Sequence, residues 1–413
     1  MAPAPPPVAL PEPATAPEAP APTPKWYDAI TFGAFIDAYA SLNYNFPKPQ
    51  TGTNAFRAYD ITNGFAISWA GVNASVDPDP VGATLSLRFG PTAERIASCP
   101  SETCDNQIGL AIVKQGYASW RPGGKEGMLT LDFGKFDTPY GAEVAESQLN
   151  MNYTRGELYW LVQPLFHTGL RATVQASEAV ALKAMVVNGW NRSVDNNAGK
   201  TYGVQLVASP IKELGLYVGW IAGPEQDDST VVPCGDNEAY SPVAGGCAPS
   251  PNTPAADYNV DRGGANDWDA WKHLGDLVVT YAASDAFTLA FNADYGWDGV
   301  RDPISGDVTK AKFYGVMLSG RYALDDVWAL ALRGEYIGDP DGYLTATGNT
   351  DVALATGTLT IEAKPTANLI LRLDTRGDFA LDGTPSKDLF QKEVRDTTSN
   401  QITSTLGVVV TTN

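Results

Sequence analysis

Apolar and polar residues alternate along most of the chain from residue 29 onward. Residues 83–89, 326–336 and 367–376 are clear examples. In the second of these, one face carries Trp328, Leu330, Leu332 and Tyr336, and the other carries Ala329, Ala331, Arg333 and Glu335. A period of two is typical of a β-strand with one apolar and one polar face. The pattern therefore predicts an all-β protein.

The length of these stretches indicates what the apolar faces contact. About sixteen of them occur between residues 29 and 412, and most are about ten residues or longer, whereas strands of soluble proteins are most often about five to six. Strands that cross a membrane need about nine to eleven residues, and a helical span needs an apolar run of about 18, which the chain lacks. We therefore predict a transmembrane antiparallel β-barrel of about sixteen strands.

The predicted connections alternate between short and long. Short turns such as Ser177-Glu178, Ser284-Asp285 and Pro365-Thr366 are separated by long connections, of which 138–164 and 223–269 are the longest. Outer-membrane barrels have short periplasmic turns and long extracellular loops. The alternation predicts such a barrel, with both termini on the periplasmic side.

Tryptophans mark the ends of the predicted strands. Trp190, Trp220 and Trp297 come just before long connections, and Trp120 and Trp328 lie beside short turns. Such placement favours two aromatic girdles at the two membrane interfaces. The alternative is that these residues are core tryptophans of a soluble protein.

The charged residues distinguish the two predicted rims, because most of the negative charge lies in the long connections. The net charge is −19, from 28 Lys and Arg against 47 Asp and Glu, which makes nucleic acid an unsuitable partner. The eight long connections carry −16 of that total, and 223–269 alone carries −8. We expect this rim to concentrate cations within a Debye length of about 8 Å. Calcium binding by the acidic loops is an alternative, but no EF-hand spacing is present, so no cofactor is expected.

The N-terminal segment differs in composition. Residues 1–24 contain 10 of the 30 prolines, which predicts a disordered periplasmic arm before a barrel of residues 25–413. The chain has no basic segment followed by an apolar one at this end, so we expect that a signal peptide has been removed.

Four cysteines form two close pairs, Cys99 with Cys104 and Cys234 with Cys247. Each pair lies in a turn-rich polar segment without nearby histidines. Two local disulfides in an oxidising compartment are favoured over free thiols.

The connection 138–164, the third long one, combines charge with an apolar run. It contains Glu143, Glu146 and Glu157 and ends with the apolar residues 158–162. An exposed loop rarely carries such a run, so part of this segment is expected to be buried. Inside a sixteen-strand barrel, the available surface is the wall of the lumen.

Several motifs carry a resemblance to a known family. They are Gly134-Lys135-Phe136, Thr138-Pro139-Tyr140-Gly141, residues 150–156, residues 164–172, Asn188-Gly189-Trp190, residues 200–203 and residues 32–37. The chain resembles the OmpL-like β-barrel porin family over most of residues 25–412, and 134–172 is the most specific part. The resemblance implies an outer-membrane channel, and likeness to other porins implies that the third long loop folds into the pore. The chain departs from such barrels at its end, where Val408 to Asn413 replace the usual terminal Phe or Trp.

On this interpretation, charges at a constriction would set selectivity. The candidates on the loop are Glu143, Glu146, Tyr153, Arg155 and Glu157, and those on the opposing wall are Arg88, Arg171, Arg333, Arg372 and Arg376. Facing rows of opposite charge would orient dipolar solutes. For each residue, the alternative is that it only solvates a wet lumen.

The sequence thus predicts a channel rather than an enzyme: a porin in outer-membrane lipid for passive diffusion of ions and small hydrophilic solutes, with a preference for cations and a homotrimer as an open option. The alternatives are a substrate-specific channel for an anionic solute, a structural or adhesive barrel whose arm contacts peptidoglycan, and a soluble all-β protein. A hydrolase is disfavoured because its triad would depend on His167, on an apparent lumen face.

Overall fold

Sixteen strands form a closed barrel in which each strand is hydrogen-bonded to its neighbours in the chain. The computed structural model describes residues 26–48, 54–97, 110–226, 229–241, 246–261, 268–301, 307–346, 350–384, 386–394 and 396–412. The barrel strands are β1 Thr31–Asn43, β2 Gly64–Val76, β3 Val81–Phe89, β4 Val113–Trp120, β5 Leu129–Asp137, β6 Phe166–Ser177, β7 Val180–Val187, β8 Thr201–Ile211, β9 Leu214–Gly223, β10 Lys272–Ala282, β11 Phe287–Arg301, β12 Val308–Ala323, β13 Trp328–Asp339, β14 Thr350–Thr366, β15 Leu369–Thr384 and β16 Asn400–Thr411. The barrel closes where β16 pairs with β1 in antiparallel register, from Phe35 opposite Thr411 to Asn43 opposite Thr403. The predicted antiparallel barrel of sixteen strands is confirmed.

The period of two follows from the two environments of the wall. On β13, Leu332 is 63% exposed on the outer surface, whereas its neighbour Arg333 is fully buried inside the barrel. Side chains of a strand point alternately to its two sides, so the outer side supplies the apolar surface that lipid requires and the inner side can be polar.

The connections alternate in length around the barrel. Short turns, which form the short-turn rim, are 77–80, 121–128, 178–179, 212–213, 283–286, 324–327 and 367–368. Long connections, which form the long-loop rim, are 44–63, 90–112, 138–165, 188–200, 224–271, 302–307, 340–349 and 385–399. Trp297 was expected to come just before a long connection, but β11 continues to Arg301, so the connection 302–307 is short. The last residues of β11 do not alternate in polarity, so the sequence pattern stopped too early.

Other regular elements lie in the connections. They are the helix α1 Pro91–Ala97, the 3₁₀-helices Trp26–Ala29, Leu110–Ile112, Gly124–Glu126, Ser147–Leu149 and Trp268–Ala270, and one turn of π-helix at Leu158–Val162. Small two-stranded sheets pair Ser229–Cys234 with Ala256–Asp261, Glu238–Ser241 with Gly246–Pro249, and Phe390–Lys392 with Asp396–Thr398. Across the described ranges, no helix is both long and apolar enough to cross a membrane.

The predicted disulfide between Cys234 and Cys247 is present, and it links two of these small sheets. Cys99 and Cys104 lie outside the described residues, as does the predicted arm at 1–24.

Aromatic residues lie at both rims, but one of the tryptophans that were expected in a girdle does not. Tyr202 and Trp271 stack at the long-loop ends of β8 and β10, while Trp120 and Trp328 are about half exposed beside short turns. Trp190, which was expected in a girdle, instead packs against a buried cluster inside the barrel. The Nζ atom of Lys272 lies 3.9 Å from the centre of its ring. The chain turns inward before Trp190 at Gly189, whose φ is 153°.

Candidate functional site

The connection 138–164, hereafter the lumen loop, lies against inward-facing residues on opposite sides of the barrel. Tyr153 Oη donates a hydrogen bond to Asp37 on β1 at 2.6 Å, and Thr154 N donates to Asp374 on β15 at 2.8 Å. On the other side, Ala142 N donates to Asn292 on β11 at 2.9 Å. In a closed barrel of sixteen strands, β1 lies opposite β9, and β11 is six strands away from β1 around the wall, so the loop spans much of the lumen.

Wall glycines make room for two tyrosines of the loop. Tyr140 packs against Gly219 on β9, where an added Cβ would lie 2.5 Å from its ring. Its hydroxyl donates to the backbone carbonyl of Trp220 at 3.0 Å. Tyr153 packs against Gly407 on β16, where an added Cβ would lie 2.1 Å from the ring. The loop is therefore seated in two notches on opposite walls.

Glu146 is held by two cations of the wall. Its Oε1 atom lies 2.6 Å from Arg88 Nη2 on β3 and 3.1 Å from Lys114 Nζ on β4. Burial opposes ionisation of this carboxyl, but the charges of Lys114 and Arg88 outweigh it and lower the pKa of Glu146 to about 2. Lys114 also pairs with Asp137 at the end of β5. Glu146 is thus a carboxylate at neutral pH.

Arg333 on β13 anchors the middle of the loop. Its Nη1 atom lies 2.6 Å from Glu143 Oε1 and also donates to the carbonyl of Thr154. Glu335, two residues along the same strand, accepts hydrogen bonds from Glu157 N at 3.3 Å and Leu158 N at 3.1 Å. These amides begin the π-helical turn, so the carboxylate satisfies N–H groups that have no partner within the turn.

Arg376 on β15 fixes the following part of the loop. It pairs with Asp378 at 2.6 Å and donates to the carbonyl of Arg155 at 2.6 Å. Glu157 lies 3.6 Å from Arg376, but neither of its carboxyl oxygens has a hydrogen-bond partner in the described structure. Burial raises the pKa of Glu157 well above its usual range. The two glutamates therefore differ: the wall cations favour the charged form of Glu146, whereas burial disfavours the charged form of Glu157.

Arg372 and Arg155 have different partners. Arg372 on β15 pairs with Glu362 at 2.7 Å and donates to the loop carbonyls of Ser147 and Asn152. Arg155 donates to the carbonyl of Tyr153, and its guanidinium lies 4.2 Å from the ring centre of Tyr59. Two of its nitrogen atoms are buried without a hydrogen-bond partner in the described part of the chain.

The first two long connections also pack on the lumen loop. Tyr59 and Tyr159 share a hydrogen bond of 2.6 Å between their hydroxyls. Arg95 of α1 lies 4.6 Å from the ring centre of Trp160. Arg57 is fully buried and pairs with Asp378 at 2.7 Å. The interior is therefore built from several connections rather than one.

The structure brings all of the predicted constriction residues except Arg171 into contact with the lumen loop or within it. Arg171 on β6 pairs with Asp132 at 2.8 Å and lies over Phe136, so its partners belong to the wall. The others are largely buried in ion pairs, and their proposed part in selectivity stays a prediction. Lys114, Glu335 and Arg57 were not predicted. Only Arg57 left a signal, since residues 44–63, which contain it, have a net charge of +1, whereas most of the long connections are negative.

The interior was also searched for a reactive histidine and for a group of side chains that could bind a metal ion. His167 is buried, with one ring nitrogen 3.1 Å from the carbonyl of Gly189 and the other 3.1 Å from the hydroxyl of Thr138. Among the described residues, no group of three or more His, Cys, Asp or Glu side chains is placed to hold a metal ion.

Comparisons with known proteins agree with this architecture. Among solved structures, OmpT expressed in the outer membrane of Vibrio cholerae is 12% identical, covers 93% of this chain and 97% of its own, and gives a TM-score of 0.54. The outer membrane channel DcaP of Acinetobacter baumannii is 10% identical, with coverages of 93% and 97% and a TM-score of 0.55. An anion-selective porin from Comamonas acidovorans is 9% identical, with coverages of 93% and 99% and a TM-score of 0.51. At these identities, the likeness shows the fold alone.

Sequence comparison adds the family. No curated protein sequence matches the chain. The model of the family described as "Putative beta-barrel porin-2, OmpL-like" matches residues 29–411, nearly the whole barrel. The chain therefore belongs to this family of outer-membrane β-barrel porins.

Proposed function

We propose that the barrel is a passive diffusion channel for ions and small hydrophilic solutes, with a preference for cations. The observation that carries this proposal is the polarity of the inner wall, because Asp37, Asn292, Arg333 and Thr358 point inward from four strands that are apolar outside. A polar lumen inside a lipid-facing barrel is the arrangement of a water-filled channel. Diffusion of this kind needs no bound cofactor.

The preference for cations is supported by the charge of the long-loop rim. The predicted long connections carry −16 of the net charge of −19. Charge of one sign at a channel mouth raises the local concentration of counter-ions, and the effect weakens as salt screens it. Cations would therefore enter from this side more readily than anions.

We further propose that the lumen loop sets the narrowest part of the path. Its ion pairs with Arg88, Arg333 and Arg376 are buried, so they fix the position of the loop more firmly than exposed pairs would. Arg372 adds two hydrogen bonds to loop carbonyls. In this proposal the wall arginines act on permeation by holding the loop.

A liposome-swelling assay with neutral sugars of increasing size tests the diffusion proposal. The purified chain should let small sugars enter, and the rate should fall steeply with sugar size because the loop narrows the lumen. Absence of swelling with every sugar would contradict a diffusion channel. The homotrimer and a contact between the arm and peptidoglycan stay predictions.

A further inference from the structure

Three cations surround one carboxylate on the inner wall near the short-turn rim. Glu362 on β14 receives Arg321 Nη2 and Lys364 Nζ on the same oxygen, Oε1, at 2.5 Å and 3.6 Å. Arg372 Nη2 lies 2.7 Å from the other oxygen, Oε2. This group is called the Glu362 cluster.

The register of four strands brings these side chains together. Glu362 stands directly opposite Arg372 on β15, and Lys364 follows two residues later on the same face of β14. Arg321 lies on β12, so its side chain must extend across β13 to reach Glu362 on β14. The residue opposite Arg321 on β13 is Ala331. Ala329 and Ala331 both point inward and are small, so the arginine side chain can cross β13 to Glu362.

The charges of the cluster do not balance. Three cations face one carboxylate, which leaves an excess of two positive charges. Within the described residues, none of Arg321, Lys364 and Arg372 has another carboxylate at ion-pair distance. The lumen-loop pairs differ here, since Arg333 has both Glu143 and Glu335, and the two cations Arg88 and Lys114 face the two carboxylates of Glu146 and Asp137.

The cluster also differs from the loop anchors in its exposure. The side chains of Arg321 and Lys364 are 30% and 38% exposed, whereas those of Arg333 and Arg376 are fully buried. Arg321 and Lys364 can therefore contact a solute without any ion pair of the lumen loop being broken.

We propose that Arg321, Lys364 and Arg372 form a binding subsite for small multivalent oxyanions at the short-turn mouth of the lumen. Guanidinium and ammonium groups bind the oxygens of phosphate and carboxylate through charge-assisted hydrogen bonds. Basic side chains that line a pore favour anions at that place. An oxyanion with two negative charges would neutralise the excess that Glu362 leaves.

The subsite lies next to the lumen loop, because Arg372 also donates to the carbonyls of Ser147 and Asn152. The subsite inference rests on the proposed channel function and adds the class of solute that would bind at one end of the lumen. It does not require anion preference overall, since the acidic charge lies at the opposite rim, farther away than the distance over which salt screens charge.

Binding can be measured without any ion current. Inorganic phosphate is titrated with the intact chain in non-ionic detergent micelles, and the ³¹P line width is recorded. The test variant is Arg321→Gln with Lys364→Gln, which leaves Arg372 and its loop contacts in place. The control is Lys125→Gln with Lys212→Gln, which removes the same charge from exposed positions on short turns of the same rim. The heat-induced shift in gel mobility of folded barrels confirms that each variant is folded.

We expect the protein-induced broadening to fall about fivefold or more in the test variant and to be unchanged in the control. A charge-retaining pair, Arg321→Lys with Lys364→Arg, should keep most of the broadening. Equal broadening in the test variant and the control would overturn the subsite.

Planar-bilayer recordings of the same proteins separate this inference from the channel proposal. Phosphate on the short-turn side should reduce the current of the native chain more than that of the test variant. If the bilayer is silent while the ³¹P difference persists, the subsite stands and the channel proposal fails. If current flows but the ³¹P difference is absent, the subsite fails and the channel stands.

Discussion

Gly407 on β16 makes room for the ring of Tyr153, since a Cβ at that glycine would lie 2.1 Å from the ring. The hydroxyl of Tyr153 then reaches Asp37 on the neighbouring strand β1. Tyr140 occupies a similar notch at Gly219 on the far wall. The wall and the lumen loop are therefore complementary in shape as well as in charge. The two wall glycines are part of the site because they leave space for the tyrosine rings.

Gly407→Ala should displace Tyr153 and loosen the lumen loop. Overpacking of this kind typically costs about 1–3 kcal/mol, and moving the ring also strains the hydrogen bond to Asp37. We expect larger and noisier single-channel conductance in planar bilayers. Gly334→Ala is the matched control because an added Cβ there meets nothing within 4 Å. Identical conductance in the two variants would show that Tyr153 does not position the loop.

The same substitution at two glutamates of the loop should have clearly different costs in stability. Glu146→Gln leaves Arg88 and Lys114 facing a neutral amide and should destabilise the folded state by about 3 kcal/mol. Glu157→Gln replaces a carboxyl whose oxygens accept no hydrogen bond in the described structure and should cost less than about 1 kcal/mol. Urea unfolding in lipid vesicles, followed by tryptophan fluorescence, measures both. A larger cost for Glu157→Gln than for Glu146→Gln would show that the ion pairs of Glu146 do not hold the loop more firmly than Glu157 does.

Acid should affect Glu146 only at low pH. Its pKa is lowered in the folded protein from 4.5 to about 2, so the stability it contributes is fully present above about pH 4.5 and is lost as the pH falls towards 2. Native unfolding free energy should therefore drop in this acid window, and Glu146→Gln should lack that part of the drop. An unchanged acid profile in the variant would contradict the ion pairs.

Arg333 and Glu143 should be energetically coupled. In a double-mutant cycle with Arg333→Gln and Glu143→Gln, the sum of the single effects should exceed the double effect by about 1–3 kcal/mol, because each single variant leaves a buried charge with fewer partners. The exposed pair of Lys200 and Asp195 in the connection 188–200 is the control, with an expected coupling of about 0.2–1 kcal/mol. Equal coupling energies in the two cycles would show that Arg333 does not anchor the loop.

The junction between two long connections should respond to neutral pH. Burial raises the pKa of Glu225 to about 7, although Thr201 and the amide of Trp190 donate hydrogen bonds to its carboxyl oxygens. The folded state then binds this proton more tightly than the unfolded state, so stability falls as the pH rises from about 4.5 through 7.

The ¹³C shift of the Glu225 carboxyl, followed over pH 4–9, measures this pKa directly. Glu225→Gln should remove the loss of stability in this window. Glu238→Gln, at an exposed position in the same long connection, should keep it. A Glu225 midpoint near pH 4.5 would contradict the expected shift.

The barrel was predictable because lipid imposes one rule on every strand. Leu330 and Leu332 must face outward, so the period of two reveals β13 without any knowledge of its partners. The end of β11 and the inward position of Trp190 were less predictable, because residues 298–301 do not alternate in polarity and Trp190 packs inside the barrel. Local alternation carries no signal where the lipid constraint stops.

The interior was predictable in residue type but not in pairing. Glu143 and Arg333 were both chosen as lumen charges, yet their ion pair joins positions 190 residues apart in the chain. Arg57 and Tyr59 reach the same interior from another connection, where they contact Asp378 and Arg155. Pairings of this kind are decided by three-dimensional position, and no spacing in the sequence encodes them.

Single-channel recording across a potassium chloride gradient tests the central claim most directly. The purified chain in a planar bilayer should produce open, ohmic current steps, with a reversal potential of the sign set by potassium carrying most of the current. The preference should weaken as the salt concentration rises, because the acidic rim is then screened. A folded barrel that stays electrically silent would contradict the channel, and a reversal potential of the opposite sign would contradict its preference for cations.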